Sequence, residues 1–336
     1  MDFDTKTAKF YMENVLAEKN NFAVKITSMR YNWFEHSSEG AKFVVSIAAM
    51  VGFMAMGIVL SVILAIPFFG LSAINELGND SSANIALLKF FQAFQSIFLF
   101  VLPPIVLARL FGERPSVYLK LNQKTSSNIA ILGIMLVLVL LPVINFTQQL
   151  NSQLRLPEIF SGLEQWMRAT EESVTRLTEK FLSTTSFGGL LVNVLVIAII
   201  PAIGEELTFR GLFQNIFTRW LKSYHAGVWL SAALFSFFHF QFFGFLPRLI
   251  LGVTFGYVVA WTGNIGYAII MHFINNFLGV MVYFFVQRGI LSVNLDDIGA
   301  SGSGAGFYIS TSIVLSVLML YSIFRNSSPK NPMDKA

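Results

Sequence analysis

The sequence predicts an all-α fold, a polytopic membrane helical bundle of about eight transmembrane helices. Composition is the first reason. The 336 residues are 54% hydrophobic and 12% charged, with a mean hydropathy of +0.63, whereas a soluble domain carries about 25% charged residues. The second is a succession of apolar stretches near the ~20 residues that a spanning helix needs. The third is the placing of Lys and Arg, which gather in alternate connections. A formal charge of +4 is too small to point to nucleic acid and fits basic loops on one membrane face. Thirty-five Phe and 12 Met suit lipid-facing surface and helix packing. Cysteine is absent, which excludes disulfides, thiolate metal sites and a cysteine nucleophile. The N-terminus begins Met1-Asp2-Phe3-Asp4 and stays polar, so a cleaved signal peptide is not expected.

Residues 1–41 mix charges of both signs and read as a polar cytoplasmic tail. Residues 42–147 hold three spans, at 43–69, 86–110 and 128–147. Residues 148–186 are the one long connection, placed on the extracytoplasmic side. Within it Phe160, Leu163, Met167, Thr170, Val174, Leu177 and Phe181 recur at the three-to-four spacing of an amphipathic helix. That helix is expected to lie on the membrane surface or cap the bundle, a substrate-gating lid being the other reading. Residues 187–286 hold four spans, at 187–218, 226–245, 247–263 and 265–286, and residues 287–336 hold the last, at 305–324, with a tail.

Arg109, Arg114, Lys120, Lys124, Arg219, Lys222, Arg325, Lys330 and Lys335 fall on one side of this arrangement, and Glu76, Asp80, Asp296 and Asp297 on the other. Eight spans with both termini cytoplasmic satisfy that alternation. The expectation is a multi-pass integral membrane protein, of the plasma or inner membrane if bacterial. Pro103-Pro104, Pro142 and Pro201 fall within spans, where a missing amide kinks the helix or frees a carbonyl. For Pro201 that carbonyl is Ile197, one turn before two glutamates. Gly252 and Gly256 form a GxxxG pair that permits close helix contact.

The chemistry concentrates in Pro201-Ala202-Ile203-Gly204-Glu205-Glu206-Leu207-Thr208-Phe209-Arg210. Two carboxylates and a guanidinium inside a span are costly, by roughly 2.5–3.5 kcal/mol each, and mark a functional site. Glu206 and Arg210, four apart, can pair along the helix. Glu205 and Glu206 differ by about 100° around the axis, so one can face a cavity while the other supports it. Of the four histidines, His36 lies in the tail and His225 at a turn. His239 ends Phe235-Ser236-Phe237-Phe238-His239, with Phe235 one turn away on the same stripe, and His272 shares a helix face with Asn276. Counting ~1.5 Å per residue brings these groups to a similar depth on three helices. A carboxylate, two imidazoles and a carboxamide suit amide hydrolysis: a desolvated glutamate takes a proton from water, and an Asn or His N–H stabilises the oxyanion.

The ordered motifs E-E-x-x-x-R (Glu205 to Arg210), F-x-x-x-H (Phe235 to His239) and H-x-x-x-N (His272 to Asn276) resemble the CAAX-protease and bacteriocin-processing (CPBP) intramembrane glutamate proteases, which include the Ras-converting enzyme. The resemblance covers about residues 190–285. It implies that Glu205 activates water, that His239 helps to orient or deprotonate it, and that His272 and Asn276 stabilise the oxyanion. Glu206, Arg210 and Phe235 would be supporting residues. It also implies no metal and no cofactor, a membrane-associated peptide or protein substrate, and a cavity open to the cytosol. Other readings of the same acids are a zinc-dependent membrane protease, an ion- or proton-coupled transporter, and a non-catalytic immunity-type membrane protein. Nothing in the sequence names the substrate or sets the oligomeric state.

Overall fold

A computed structural model of the chain describes residues 34–75, 84–292, 298–299, 302 and 304–327. Glu76, Asp80, Asp296, Asp297, Lys330, Lys335 and residues 1–33, on which the expected sidedness partly stands, lie outside the described residues. The described residues are helical, without strands. In chain order they form α1 (Glu39–Asn75), α2 (Ile85–Leu110), α3 (Ser127–Ser152), α4 (Ser161–Leu182), α5 (Phe187–Leu221), α6 (Tyr224–Phe237), α7 (Phe245–Thr262), α8 (Gly266–Gln287) and α9 (Ala305–Asn326). Seven helices among the described residues are long and apolar enough to cross a membrane, and the chain is a multi-pass helical membrane bundle. Large apolar side chains such as Val59 and Phe68 on α1 and Phe307, Val317 and Leu318 on α9 stand exposed, a surface that lipid rather than water tolerates.

The core is assembled by α5 and α3. Leu207, Leu212 and Ile216 of α5 pack with Leu107, Phe111, Tyr118, Leu119 and Ile265. On the other side of the bundle, Leu136, Val137 and Leu140 of α3 meet Phe255, Val258 and Val259 of α7, Tyr267, Ala268 and Met271 of α8 and Ile323 of α9. Between α6 and α7 the backbones approach closely. A Cβ on Gly252 would stand 2.9 Å from the Ala232 Cβ, and one on Gly256 would stand 2.9 Å from a Val228 methyl. The GxxxG pair is thus a packing device.

One expected span is shorter than its apolar run. The stretch 226–245 yields α6, which is 14 residues, about 21 Å of helix against a hydrocarbon core of about 30 Å. The chain leaves the helix after Phe237, and Phe240 takes a left-handed conformation with φ 51°. The Ser236 hydroxyl donates to the Phe245 carbonyl (2.7 Å), fastening the start of α7 to the end of α6. Hydropathy could not show this, because Phe237, Phe238, Phe240, Phe242 and Phe243 stay apolar straight through the break.

The break exposes backbone polar groups, and two earlier segments satisfy them. Asn151 of α3 donates to the Phe242 carbonyl (3.0 Å) and accepts from the Leu246 amide (2.7 Å), while Gln148 donates to the Phe243 carbonyl (3.2 Å). Glu171 of α4 accepts from the Phe243 amide (2.9 Å). The amphipathic helix α4 therefore caps the 242–244 turn, with Arg168 4.1 Å over the Phe243 ring and Trp166 against Phe242 at 5.5 Å. Its start is pinned by Glu164, which accepts from the Leu156 amide (2.8 Å), Arg155 (3.0 Å) and Arg168 (2.9 Å).

The Leu156 amide, with the two guanidiniums, holds the Glu164 carboxyl down to about 2 from an ordinary 4.5. A lowered folded pKa means that the contribution is complete above the unfolded value and is lost as pH falls through the folded one. The start of α4 should accordingly loosen between about pH 4.5 and pH 2. At neutral pH, Glu164→Gln should raise hydrogen exchange at the Leu156 amide. Undiminished protection of that amide in the variant would contradict the anchoring role.

Candidate active site

The 35-residue helix α5 is not uniform. It widens into π turns at Val194–Ile199 and Leu207–Phe213, a geometry found mostly as local bulges and often at functional sites. Pro201 follows the first. Its missing amide deprives the Ile197 carbonyl of its usual donor four residues on, and Asn276 of α8 supplies one from Nδ2 at 3.1 Å. The same device recurs on α2, where a π turn at Ile97–Val101 precedes Pro103-Pro104. Pro104 leaves the Phe100 carbonyl without its usual donor, and the Thr208 hydroxyl of α5 donates to it at 2.8 Å. Gly204 lets the two helices meet, since a Cβ there would stand 2.9 Å from the Phe100 Cβ. Two proline-freed carbonyls thus bind α2, α5 and α8 together around Glu205 and Glu206.

Glu206 is fully buried. Its Oε1 accepts from His272 Nδ1 at 2.8 Å and lies 3.0 Å from Arg210 Nη1 as an ion pair. Arg210, also buried, rests 4.5 Å over the Phe235 ring and reaches the Gly252 carbonyl at 3.4 Å. Glu206 and Arg210 pair along the helix, and Glu206 also holds the imidazole of another helix. Its hydrogen bond also settles the ring's tautomer, because a carboxylate only accepts, so Nδ1 carries a proton and Nε2 faces away.

His239 is set by the same logic. It stands just past the end of α6, where Nδ1 donates to the Phe235 carbonyl at 2.8 Å. Its Nε2 then points inward. Phe235 packs edge-on against both rings, at 4.8 Å from His239 and 5.9 Å from His272. Glu205 lies between them, with Oε2 3.9 Å from His239 Nε2 and 3.8 Å from His272 Nε2. Both gaps exceed a hydrogen bond. Glu205 Oε2 is buried and has no hydrogen-bond partner, a state that buried carboxylates rarely keep. Asn276 lies one turn along α8 from His272. Its Oδ1 accepts from Asn275 at 3.1 Å, and one of its two Nδ2 hydrogens is taken by Ile197.

The structure thus brings Glu205, His239, His272, Glu206, Arg210 and Phe235 together, whereas the contacts of Asn276 are with Ile197 and Asn275. One residue was overlooked in the sequence. Arg248 of α7 lies close enough to Glu205 and Glu171 for their charges to act on it. It is held by the Gln241 carbonyl (3.1 Å) and side-chain oxygen, over the Cα of Gly244. Its signal was present, as a lone guanidinium inside an apolar run. Among the described residues, no group of three His, Cys, Asp or Glu side chains is placed to hold a metal ion.

Residues 187–278 match the family model described as type II CAAX prenyl endopeptidase, Rce1-like. The matched segment runs from the start of α5 into α8 and contains every motif residue named above. No curated protein and no solved structure matches the chain.

The buried pair makes an energetic prediction. Removing one partner of a buried ion pair leaves an uncompensated charge and costs about 3–5 kcal/mol, whereas removing both costs far less. Arg210→Met should lower thermal stability in detergent more than the double variant Glu206→Gln/Arg210→Met. A double variant less stable than Arg210→Met alone would show that the two charges are not balancing each other.

Proposed function

We propose that this chain, whose residues 187–278 match the Rce1-like family, is an intramembrane endopeptidase that hydrolyses a peptide bond of a membrane-associated protein or peptide, with Glu205 as the base. The observation that carries this reading is the unpartnered Glu205 Oε2 between two inward-facing imidazole nitrogens. With Nδ1 of each ring engaged, both Nε2 atoms are acceptors when the rings are neutral. Three acceptors therefore converge, and a water between them can donate to two. It gives one hydrogen to Glu205 and the other to an imidazole, and its remaining lone pairs are left for a carbonyl carbon.

Chemistry follows from that arrangement. Glu205 takes a proton as the water oxygen bonds to the carbonyl carbon, forming a tetrahedral intermediate. The second Nδ2 hydrogen of Asn276 is the donor for the new oxyanion, a contact typically worth ~3–4 kcal/mol. His272 can add a second donor only after its Nε2 has gained a proton, because its Nδ1 hydrogen belongs to Glu206. The proton then passes to the departing amine as the C–N bond breaks. Glu206 and Arg210 touch none of the reacting atoms in this scheme; they hold the His272 ring in the productive tautomer.

Glu205→Gln keeps the shape and loses the basicity. It should abolish turnover, by at least about 10²-fold, with expression near wild type; cleavage at the wild-type rate would remove Glu205 from the role of base. Comparing membrane proteomes of wild type with Glu205→Ala and His239→Ala should reveal a fragment absent from both variants. Activity should survive prolonged chelation, and loss that added zinc restores would transfer the water to a metal.

A further inference from the structure

A cavity of about 250 Å³ lies where the connection between α2 and α3 meets the end of α5 and the start of α6. Two of the side chains lining it are buried with a polar atom left over. Tyr118 and Gln214 are each 2% exposed, and neither the Tyr118 hydroxyl nor Gln214 Oε1 has a hydrogen-bond partner. Both side chains are held in place: Arg219 stands 5.3 Å over the Tyr118 ring, and Gln214 Nε2 donates to the Gly256 carbonyl at 3.0 Å. Buried hydroxyls and amide oxygens rarely stay unpaired.

Cations line the same cavity. Lys120 and Arg219 both face it, with Glu113 paired to Arg219 at 3.1 Å where the two are partly exposed. Lys120 takes a left-handed conformation, φ 57°, just past the short helix Pro115–Tyr118, a position that glycine fills with least strain. Its carbonyl accepts from the Ile265 amide at 3.1 Å, which holds the turn. Burial and the Arg219 charge push the Lys120 ammonium down to about 8. Two like charges facing one cavity are relieved by an anion between them.

We propose that this cavity binds a phosphate that keeps a P–OH group, either free phosphate or a phosphomonoester headgroup. Its anionic oxygens meet Lys120, Arg219 and the Tyr118 hydroxyl, and its P–OH donates to Gln214 Oε1. That hydrogen is what selects the ligand. A carboxamide oxygen only accepts, so an anion without a hydrogen leaves it unpaired; sulfate at neutral pH and the diester of an ordinary glycerophospholipid are both of that kind. Water would pair the two leftover atoms but bring no charge to Lys120. The cavity lies roughly 13 Å along α5 from Glu205, and its test does not involve proteolysis.

The test uses the full-length protein purified in detergent and phosphate-free buffer. Unfolding midpoints are read against sodium phosphate and sodium sulfate at matched ionic strength, and against micelles containing dioleoyl phosphatidic acid or dioleoyl phosphatidylglycerol. Wild type should gain a saturable rise from phosphate, and about tenfold more sulfate should be needed to match it, the worth of one buried acceptor left unpaired. A rise from phosphatidic acid, but not from phosphate or phosphatidylglycerol, would assign the site to a lipid headgroup. Tyr118→Phe should weaken the response about tenfold, and Lys120→Gly should lose it. Without ligand neither variant should unfold earlier than wild type, because one removes an unpaired hydroxyl and the other relieves a left-handed lysine; lost response is then not lost folding. Lys120→Asn, which also tolerates that conformation, serves if Lys120→Gly does not express. Equal responses to phosphate and sulfate, no response to phosphate or phosphatidic acid, or a full response in the Lys120 variants would each overturn the proposal.

Discussion

Glu206 has to keep its charge with no access to water, and most of the central architecture answers that demand. A carboxylate in hydrocarbon survives only with a cation and a hydrogen-bond donor at hand. Arg210 supplies the first from one turn along the same helix, and His272 supplies the second from α8. Each partner then has needs of its own. The guanidinium spreads over the faces of Phe235 and Phe255 and touches the Gly252 carbonyl, which draws α6 and α7 against α5. The imidazole, once held through Nδ1, offers a single nitrogen to Glu205. Burial of one acid thereby orients the groups around the other.

Prolines provide the second layer of order. In water a freed carbonyl costs little, because solvent takes it; in a bilayer it must find a donor within the protein. Pro104 and Pro201 each release one, and the donors are Thr208 and Asn276. These bonds fix the relative height of α2, α5 and α8. Asn276 is therefore both a strut and a hydrogen-bond donor with one hydrogen still available.

Much of this was legible in the residues. The bundle, the helical spacing of Glu206 with Arg210 and of His272 with Asn276, the release of the Ile197 carbonyl by Pro201 and the close approach at Gly252 and Gly256 all follow from local rules that leave marks at fixed intervals. What was not legible depends on direction rather than spacing. Spacing places Glu206 near Arg210 but cannot say that its second partner is His272, 66 positions away. Nor can hydropathy see that α6 stops at Phe237, since the break is paid for by side chains of α3 and α4. Arg248 was visible but unremarked, because it belongs to no repeated pattern.

That dependence on α3 and α4 bears on what the smallest competent unit can be. The stretch matching the family model, 187–278, contains the motifs but not Gln148, Asn151 or Glu171, which serve the carbonyls of Phe242 and Phe243 and the amides of Phe243 and Leu246. Cut to its matched core, the chain would carry four bare peptide groups into the bilayer beside His239. The diagnostic segment is therefore not an autonomous module, and a graft or minimal fragment has to bring the helices from 127 to 182 with it.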